Sequence, residues 1–109
     1  MTYTIHITAQ AEKDLNEAAD YIGYKLMNPT AADRFLDDVS KKVATLSTMP
    51  ERNKRADDPV LRSWGIRYIL VGSYIVFYVI RDKTVYIVRI LYGHRNWQQI
   101  LRAEPVSFI

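Results

Sequence analysis

The polar cluster that ends the last apolar run of the chain is the first candidate for chemistry. Gly93 permits a sharp turn out of a strand, and His94 and Arg95 follow it directly. Histidine transfers protons near neutral pH, and arginine can hold a phosphate through two parallel hydrogen bonds. The pair is suited to a phosphoryl-transfer site. The alternative is that His94 is only a satisfied polar residue at a strand end.

Two further arginines lie inside apolar segments, where an unpaired charge is expensive to bury. For Arg89 we expect either a salt bridge to an acidic residue of a preceding helix, such as Asp14 or Asp20, or a contact with a ligand. Arg67 follows a basic segment directly. We expect it to be a surface-facing, functional cation.

Several classes of site are excluded or unsupported by residue type and spacing. The chain has no cysteine, so disulfides, thiolate metal sites and a cysteine nucleophile are impossible. Neither metal-ligand spacing nor a glycine-rich phosphate loop nor a Ser-His-Asp order is present. We therefore expect no metal and no cofactor. Without a signal-like or membrane-spanning run, we expect a cytoplasmic protein with no membrane partner.

Charge is divided unevenly along the chain. Residues 1–50 carry five Lys or Arg against seven Asp or Glu, a net of −2, whereas residues 51–109 carry ten against five, a net of +5. This asymmetry favours an anionic partner for the second half, and a solvated basic face is the alternative.

The first half of the chain predicts one strand and two helices that position these groups. Residues 3–8 alternate as a strand with Ile5 and Ile7 on one face, and Thr8 suits a helix N-cap. Asn28-Pro29 ends the first helix, and Thr30 with Asp33 resembles a capping box that opens the second. Apolar residues recur at helical spacing in both helices: Ala11, Leu15, Ala18, Ala19, Ile22 and Leu26, then Ala32, Phe35, Leu36, Val39, Val43 and Leu46.

The second half predicts a basic connection followed by a sheet. Residues 51–63 have little periodicity, and we expect them to form a basic, mobile connection. Residues 66–71, 74–80 and 85–92 form strands, with Gly72-Ser73 as a tight hairpin turn. Because the strands do not alternate cleanly, both faces of the sheet should be covered. Residues 96–102 can form a short helix. The prediction is one α+β domain over residues 1–109, ordered β-α-α-β-β-β, with a helical hairpin packed on an antiparallel sheet.

With this order in place, the chain resembles the RelE/ParE superfamily of toxins from bacterial type II toxin–antitoxin modules, which serve plasmid stabilisation. The resemblance covers nearly the whole chain. The residues that carry it are Ile7-Thr-Ala-Gln-Ala-Glu-Lys-Asp-Leu15, Leu46-Ser-Thr-Met-Pro50, Gly65-Ile-Arg67, Gly72-Ser-Tyr-Ile-Val-Phe-Tyr78 and Val88-Arg-Ile-Leu-Tyr-Gly-His-Arg-Asn-Trp97.

The resemblance implies growth arrest by one of two mechanisms. A RelE-like toxin is an endoribonuclease that cuts messenger RNA in the ribosome, and here Arg67, His94 and Arg95 would be its catalytic residues. A ParE-like toxin inhibits DNA gyrase and needs no catalytic site of its own. The Gly72 hairpin and the ending at Trp97 favour ParE. Under either mechanism the candidate target-binding residues are Arg52, Lys54, Arg55, Arg62, Arg67, Arg95 and Trp97.

The resemblance also implies a cognate antitoxin encoded by an adjacent gene. We expect the antitoxin tail to fold on binding, as an apolar helix or an added strand, and the two chains to form a hetero-oligomer. A third possibility is a non-toxic protein-binding adaptor.

Overall fold

The computed structural model describes residues 2–103 and has the predicted α+β order. Short 3₁₀ turns at Thr45–Ser47 and Pro50–Arg52 follow the second helix. The helices and strands, in chain order, are β1 (Thr4–Ile7), α1 (Ala9–Asp20), α2 (Pro29–Ala44), α3 (Pro59–Ser63), β2 (Arg67–Val71), β3 (Tyr74–Arg81), β4 (Thr84–Tyr92) and α4 (Trp97–Arg102).

Helix α1 begins where the sequence predicts. The Oγ1 atom of Thr8 accepts a hydrogen bond from the backbone N–H of Ala11 at 3.2 Å. At its other end, α1 continues as a π-helical turn over Tyr21–Lys25. A π-helical turn holds more residues than an α-helical turn, so it rotates the following side chains away from the predicted stripe. Leu26, predicted on the buried face, is 57% exposed for this reason.

Helix α2 starts two residues earlier than a capping box at Thr30 requires. Its N-cap is Asn28, whose Oδ1 accepts from the N–H of Ala31 at 3.1 Å, and Pro29 occupies the first helical position. The capping box prediction is wrong because the fixed φ of proline and its missing N–H suit the first turn of a helix.

The sheet has the order β1-β4-β3-β2. Two antiparallel hairpins, β2–β3 and β3–β4, form as predicted, whereas β1 pairs with β4 in parallel and makes the sheet mixed. No tight turn links β1 to β4 in sequence, so no local signal sets the direction of β1.

Both faces of the sheet are covered, as the strand pattern predicts. Helices α1 and α2 cover one face through Ala11, Phe35 and Val39. The other face is covered by residues of the segment that precedes β2 and of α4, including Ala56, Leu61 and Leu101, each 0% exposed.

The segment over residues 51–63, in which the sequence shows little periodicity, contains regular structure. Helix α3 lies within it, and the Oδ1 atom of Asp58 accepts from the N–H groups of Val60 and Leu61 at 3.0 and 3.1 Å. The sequence signal was Asp58-Pro59, an N-cap followed by proline at the first helical position.

Candidate functional site

Arg89 forms a buried ion pair with Asp14. The guanidinium donates from Nε to Oδ2 at 2.6 Å and from Nη2 to Oδ1 at 3.0 Å, and the two side chains are 10% and 5% exposed. The salt bridge expected from the sequence is confirmed, with Asp14 as the partner. Arg89 therefore joins β4 to α1.

Arg67 is half-buried and turned towards the segment that follows α2. Its Nη1 donates to the backbone carbonyl oxygens of Glu51 at 2.9 Å and Asn53 at 2.6 Å. The nearby Tyr78 hydroxyl donates to the carbonyl of Pro50 at 2.6 Å. Arg67 thus stabilises a chain turn, and its role in target binding stays a prediction.

The chain leaves β4 at Gly93 through a close backbone contact. The N–H of Gly93 donates to the carbonyl of Ser73 at 2.8 Å, and a Cβ at Gly93 would lie 3.1 Å from that oxygen. His94 is exposed, and its ring centroid lies 5.1 Å from that of Tyr92. Trp97 is half-buried, with its ring centroid 5.3 Å from that of Phe77. Trp97 therefore contributes to packing, and its role in target binding stays a prediction.

The structure does not bring Arg67 together with His94 and Arg95. Arg67 begins β2 and lies opposite Tyr78 of β3. Val71, at the other end of β2, pairs with Tyr74 of β3, which in turn pairs with Tyr92 at the end of β4 from which His94 and Arg95 follow. The two ends of β2 are four residues apart, or about 13 Å at the rise of a β-strand. Arg67 is therefore separated along the sheet from the end at which His94 and Arg95 follow β4.

A large groove lies between the helical hairpin and the end of the sheet that carries Arg95. Its volume is about 750 Å³. The ring centroids of Phe35 and Tyr74 lie 4.8 Å apart, and those of Tyr74 and Tyr92 lie 5.5 Å apart. Burial, with smaller contributions from Tyr21 and Tyr92, raises the pKa of Tyr74. We name this feature the aromatic groove; its main apolar lining is Tyr21, Ile22, Leu26, Phe35, Tyr74 and Tyr92.

Sequence reasoning missed the aromatic groove. Tyr21 and Leu26, at its rim, are 51% and 57% exposed. The only sequence signal was the number of tyrosines on both the first helix and the strands, for which packing is the ordinary explanation. Polar groups of both signs surround the apolar lining: Asp14, Glu17, Arg34, Asp38 and Arg95.

A second concavity gathers three of the predicted target-binding cations. Lys54, Arg55 and Arg62 line it together with Asp57 and Tyr68, and its volume is about 530 Å³. We call it the basic cleft. Arg52 is exposed on the preceding turn and does not line it.

Two kinds of site are absent from residues 2–103. This part of the chain has no group of three or more His, Asp or Glu side chains placed to hold a metal ion. It also has no helix that is both long and apolar enough to cross a membrane.

Solved structures of other proteins share this fold. Among solved structures, the chain is similar to the chromosomal ParDE toxin–antitoxin system from P. aeruginosa, with 19% identity and a TM-score of 0.69 over 84% of this chain and 96% of that one. It is also similar to the toxin–antitoxin complex RelBE2 from Mycobacterium tuberculosis, with 24% identity and a TM-score of 0.52 over 84% and 99%. No curated protein sequence matches the chain.

At these identities the structural likeness shows the fold alone. The sequence model of the ParE toxin of the type II toxin–antitoxin system parDE matches residues 5–97, which is most of the chain. The chain therefore belongs to the ParE toxin family of type II toxin–antitoxin systems, within the RelE/ParE superfamily.

Proposed function

We propose that this toxin arrests bacterial growth by ParE-like inhibition of DNA gyrase in the cytoplasm. The observation that carries the proposal is the placement of Arg67, about 13 Å along β2 from the end where His94 and Arg95 leave the sheet. Its Nη1 is also engaged by two backbone carbonyls. A gyrase inhibitor needs an interface and no such convergence.

Messenger RNA cleavage makes a different demand on the site. A nuclease must activate a 2′-hydroxyl, stabilise the charge on one phosphate and protonate the leaving oxygen. These groups must lie within hydrogen-bond reach of the same phosphate, so Arg67 and His94 would have to converge. Their separation supports an interface over a catalytic site, and the activity needs no metal or cofactor.

The mechanism is tested by inducing the toxin alone in a sensitive bacterium and measuring two outputs together. We expect DNA-damage signalling with trapped gyrase cleavage complexes, and no ribosome-dependent cuts in a reporter messenger. His94→Ala should arrest growth as the unmodified chain does. Codon-spaced cuts that vanish in His94→Ala would replace this mechanism with the RelE-like one, and normal growth at verified expression would favour a non-toxic adaptor.

The antitoxin from the adjacent gene occupies the aromatic groove in this proposal. Apolar anchors spaced along an amphipathic helix fit a groove lined by rings, and its charged rim can select the polar face of that helix. The exposed Tyr21 and Leu26 are then covered in the complex. Binding of a disordered tail explains how an exposed apolar surface is tolerated in a toxin that is made together with its antitoxin.

The edge of β2 offers the same antitoxin a place for a strand. The N–H of Tyr68 donates to the carbonyl of Lys54 at 3.2 Å, so this residue's backbone faces away from β3. By the period of a strand, the backbone of Leu70 faces outward as well. Leu70 is 56% exposed, and an extended antitoxin segment can pair there.

A further inference from the structure

The basic cleft stands on a fixed frame. Residues 54–56 run beside β2 like a short additional strand. The N–H of Ala56 donates to the carbonyl of Ile66 at 2.8 Å, and the backbone of Arg55 pairs with that of Arg67 in antiparallel orientation. Ala56 is 0% exposed and anchors the segment in the core. Lys54 and Arg55 are therefore held along the sheet edge, with little backbone entropy left to lose when a ligand binds.

Helix α3 supplies the opposite wall and the third cation. Asp58 caps α3, and its carboxylate also accepts from Arg102 Nη2 at 2.5 Å. The side chain of Asp58 is 5% exposed, so it is engaged in the fold and does not neutralise the cleft. Arg62 lies in the last turn of α3, a helix whose first turn is anchored to the fold through Asp58.

The remaining carboxylate at the cleft is weakly held. Asp57 lies 3.4 Å from Arg62, and the two side chains are 99% and 58% exposed. An exposed pair of this kind contributes at most about 1 kcal/mol. Three cations therefore face one displaceable carboxylate, and the cleft favours an anionic ligand.

Tyr68 decides which anionic ligand fits. Its side chain packs partly against the second core cluster and also lines the cleft beside the cations. A tyrosine ring held against a core is a platform on which an unpaired base can stack, while neighbouring Lys and Arg hold the phosphate. The volume of about 530 Å³ lies in the range of small-molecule sites.

We propose that the basic cleft binds a nucleotide unit, with Lys54, Arg55 and Arg62 on the phosphate and Tyr68 under the base. The unit can belong to a single-stranded nucleic acid or to a free nucleotide, which share this chemistry. The site is separate from the aromatic groove and does not depend on gyrase being the target. A duplex, whose bases are already stacked, leaves Tyr68 unused.

The test measures fluorescence anisotropy of the purified full chain with a labelled single-stranded oligothymidylate. We expect Lys54→Gln and Arg62→Gln each to weaken binding roughly tenfold. Each should also reduce the slope of the logarithm of the binding constant against the logarithm of the salt concentration by at most roughly 0.7, the value for one phosphate of a single strand. Tyr68→Leu should weaken binding by about tenfold with the slope unchanged. Unlabelled ATP should compete if a free nucleotide is the ligand, and only the oligonucleotide should compete if the site needs a strand.

Two matched controls distinguish binding at a specific site from an effect of total charge or total aromatic content. Lys41→Gln removes the same charge from α2, and Tyr24→Leu removes a ring that is 81% exposed and outside the cleft. Neither should change binding. Thermal midpoints check folding, and Arg62→Lys retains the charge if Arg62→Gln is unstable. The proposal is overturned if polyglutamate competes as well as the oligonucleotide does. It is also overturned if duplex DNA binds as tightly as the single strand and Tyr68→Leu has no effect, or if the control variants weaken binding as much as the cleft variants do.

Discussion

The carboxylate of Asp14 holds both the side chain of Arg89 and the backbone of β4. Besides the two guanidinium contacts, Oδ2 of Asp14 accepts from the N–H of Ile90 at 3.0 Å. Strand β1 ends opposite Ile87, so β4 has no strand neighbour on that side beyond this point. A side chain of α1 thus takes the place of the missing strand, which satisfies a buried N–H that would otherwise cost free energy.

Asp14→Ala should destabilise the fold strongly. It removes the Asp14 carboxylate from the buried ion pair with Arg89 and also removes the acceptor of the Ile90 N–H. Breaking one side of a buried ion pair costs about 3–5 kcal/mol. Urea unfolding measures this change. The double variant Asp14→Leu/Arg89→Met should lose less unfolding free energy than the two single variants lose in sum. Strictly additive losses would contradict the coupling between Asp14 and Arg89.

Arg67→Ala should reduce stability through the turn that follows α2. It removes two charge-assisted hydrogen bonds to the carbonyls of Glu51 and Asn53, at a cost of about 2 kcal/mol. If the role of Arg67 is structural, the degree of growth arrest, compared at equal soluble toxin concentration, should change less than threefold. A threefold change corresponds to roughly 0.6 kcal/mol of binding free energy. If growth arrest instead falls a hundredfold while the variant remains folded, Arg67 contacts the target.

Arg102→Gln should destabilise the protein near neutral pH and much less in acid. The hydrogen bond from Arg102 lowers the pKa of the Asp58 carboxyl below its usual 3.8. A lowered pKa in the folded state adds stability above pH 3.8 that is lost as the pH falls through the folded pKa.

The difference in unfolding free energy between Arg102→Gln and the unmodified chain should therefore shrink between about pH 7 and about pH 2.5. Arg62→Gln is the control, because its partner Asp57 is 99% exposed as a side chain. A difference for Arg102→Gln that stays constant with pH would show that the contact acts by packing alone.

Tyr78→Phe should cost about 1 kcal/mol at neutral pH, because it removes the buried hydrogen bond to Pro50. Burial raises the pKa of Tyr78 above its usual 10.0. Stability tied to a raised pKa is complete below pH 10.0 and is lost as the pH rises through the folded pKa. The unmodified chain should therefore lose stability faster than Tyr78→Phe in alkali. Parallel alkaline curves would mean that other groups control this range.

Leu26→Glu should weaken antitoxin binding by at least tenfold without changing stability. Leu26 lines the aromatic groove and is 57% exposed, so a carboxylate there meets water in the free toxin and an apolar helix face in the complex. Met27→Glu is the matched control, since Met27 is 85% exposed and outside the groove. Calorimetry with the product of the adjacent gene measures both, and equal losses of affinity would place the antitoxin elsewhere.

Local sequence signals were sufficient for most elements of the fold. Thr8 opens α1, Gly72-Ser73 turns β2 into β3, and the three strands and α4 lie where the residue types predict. Such signals act within a few residues, because caps and turns depend on the nearest backbone groups. Where they fail, as at the π-helical turn before Leu26, a single extra residue in a turn is enough to redirect a face.

One long-range contact was within reach of the sequence. Asp14 lies three residues after Ala11 and four before Ala18, which puts it on the buried stripe of α1, whereas Asp20 is exposed. Helical period alone could therefore have selected Asp14 as the partner of Arg89.

The arrangement of the candidate sites was decided only by tertiary structure. The parallel pairing of β1 with β4, the engagement of Arg67 by two carbonyls and the joining of Phe35 to Tyr74 across the aromatic groove all connect residues distant in sequence. Charge counts identified the basic half of the chain, but not that Lys54 and Arg62 share a cleft with Tyr68 while His94 lies apart from Arg67. Side chains meet across a fold only after the helices have packed on the sheet, because each such contact depends on the register and orientation of two elements at once.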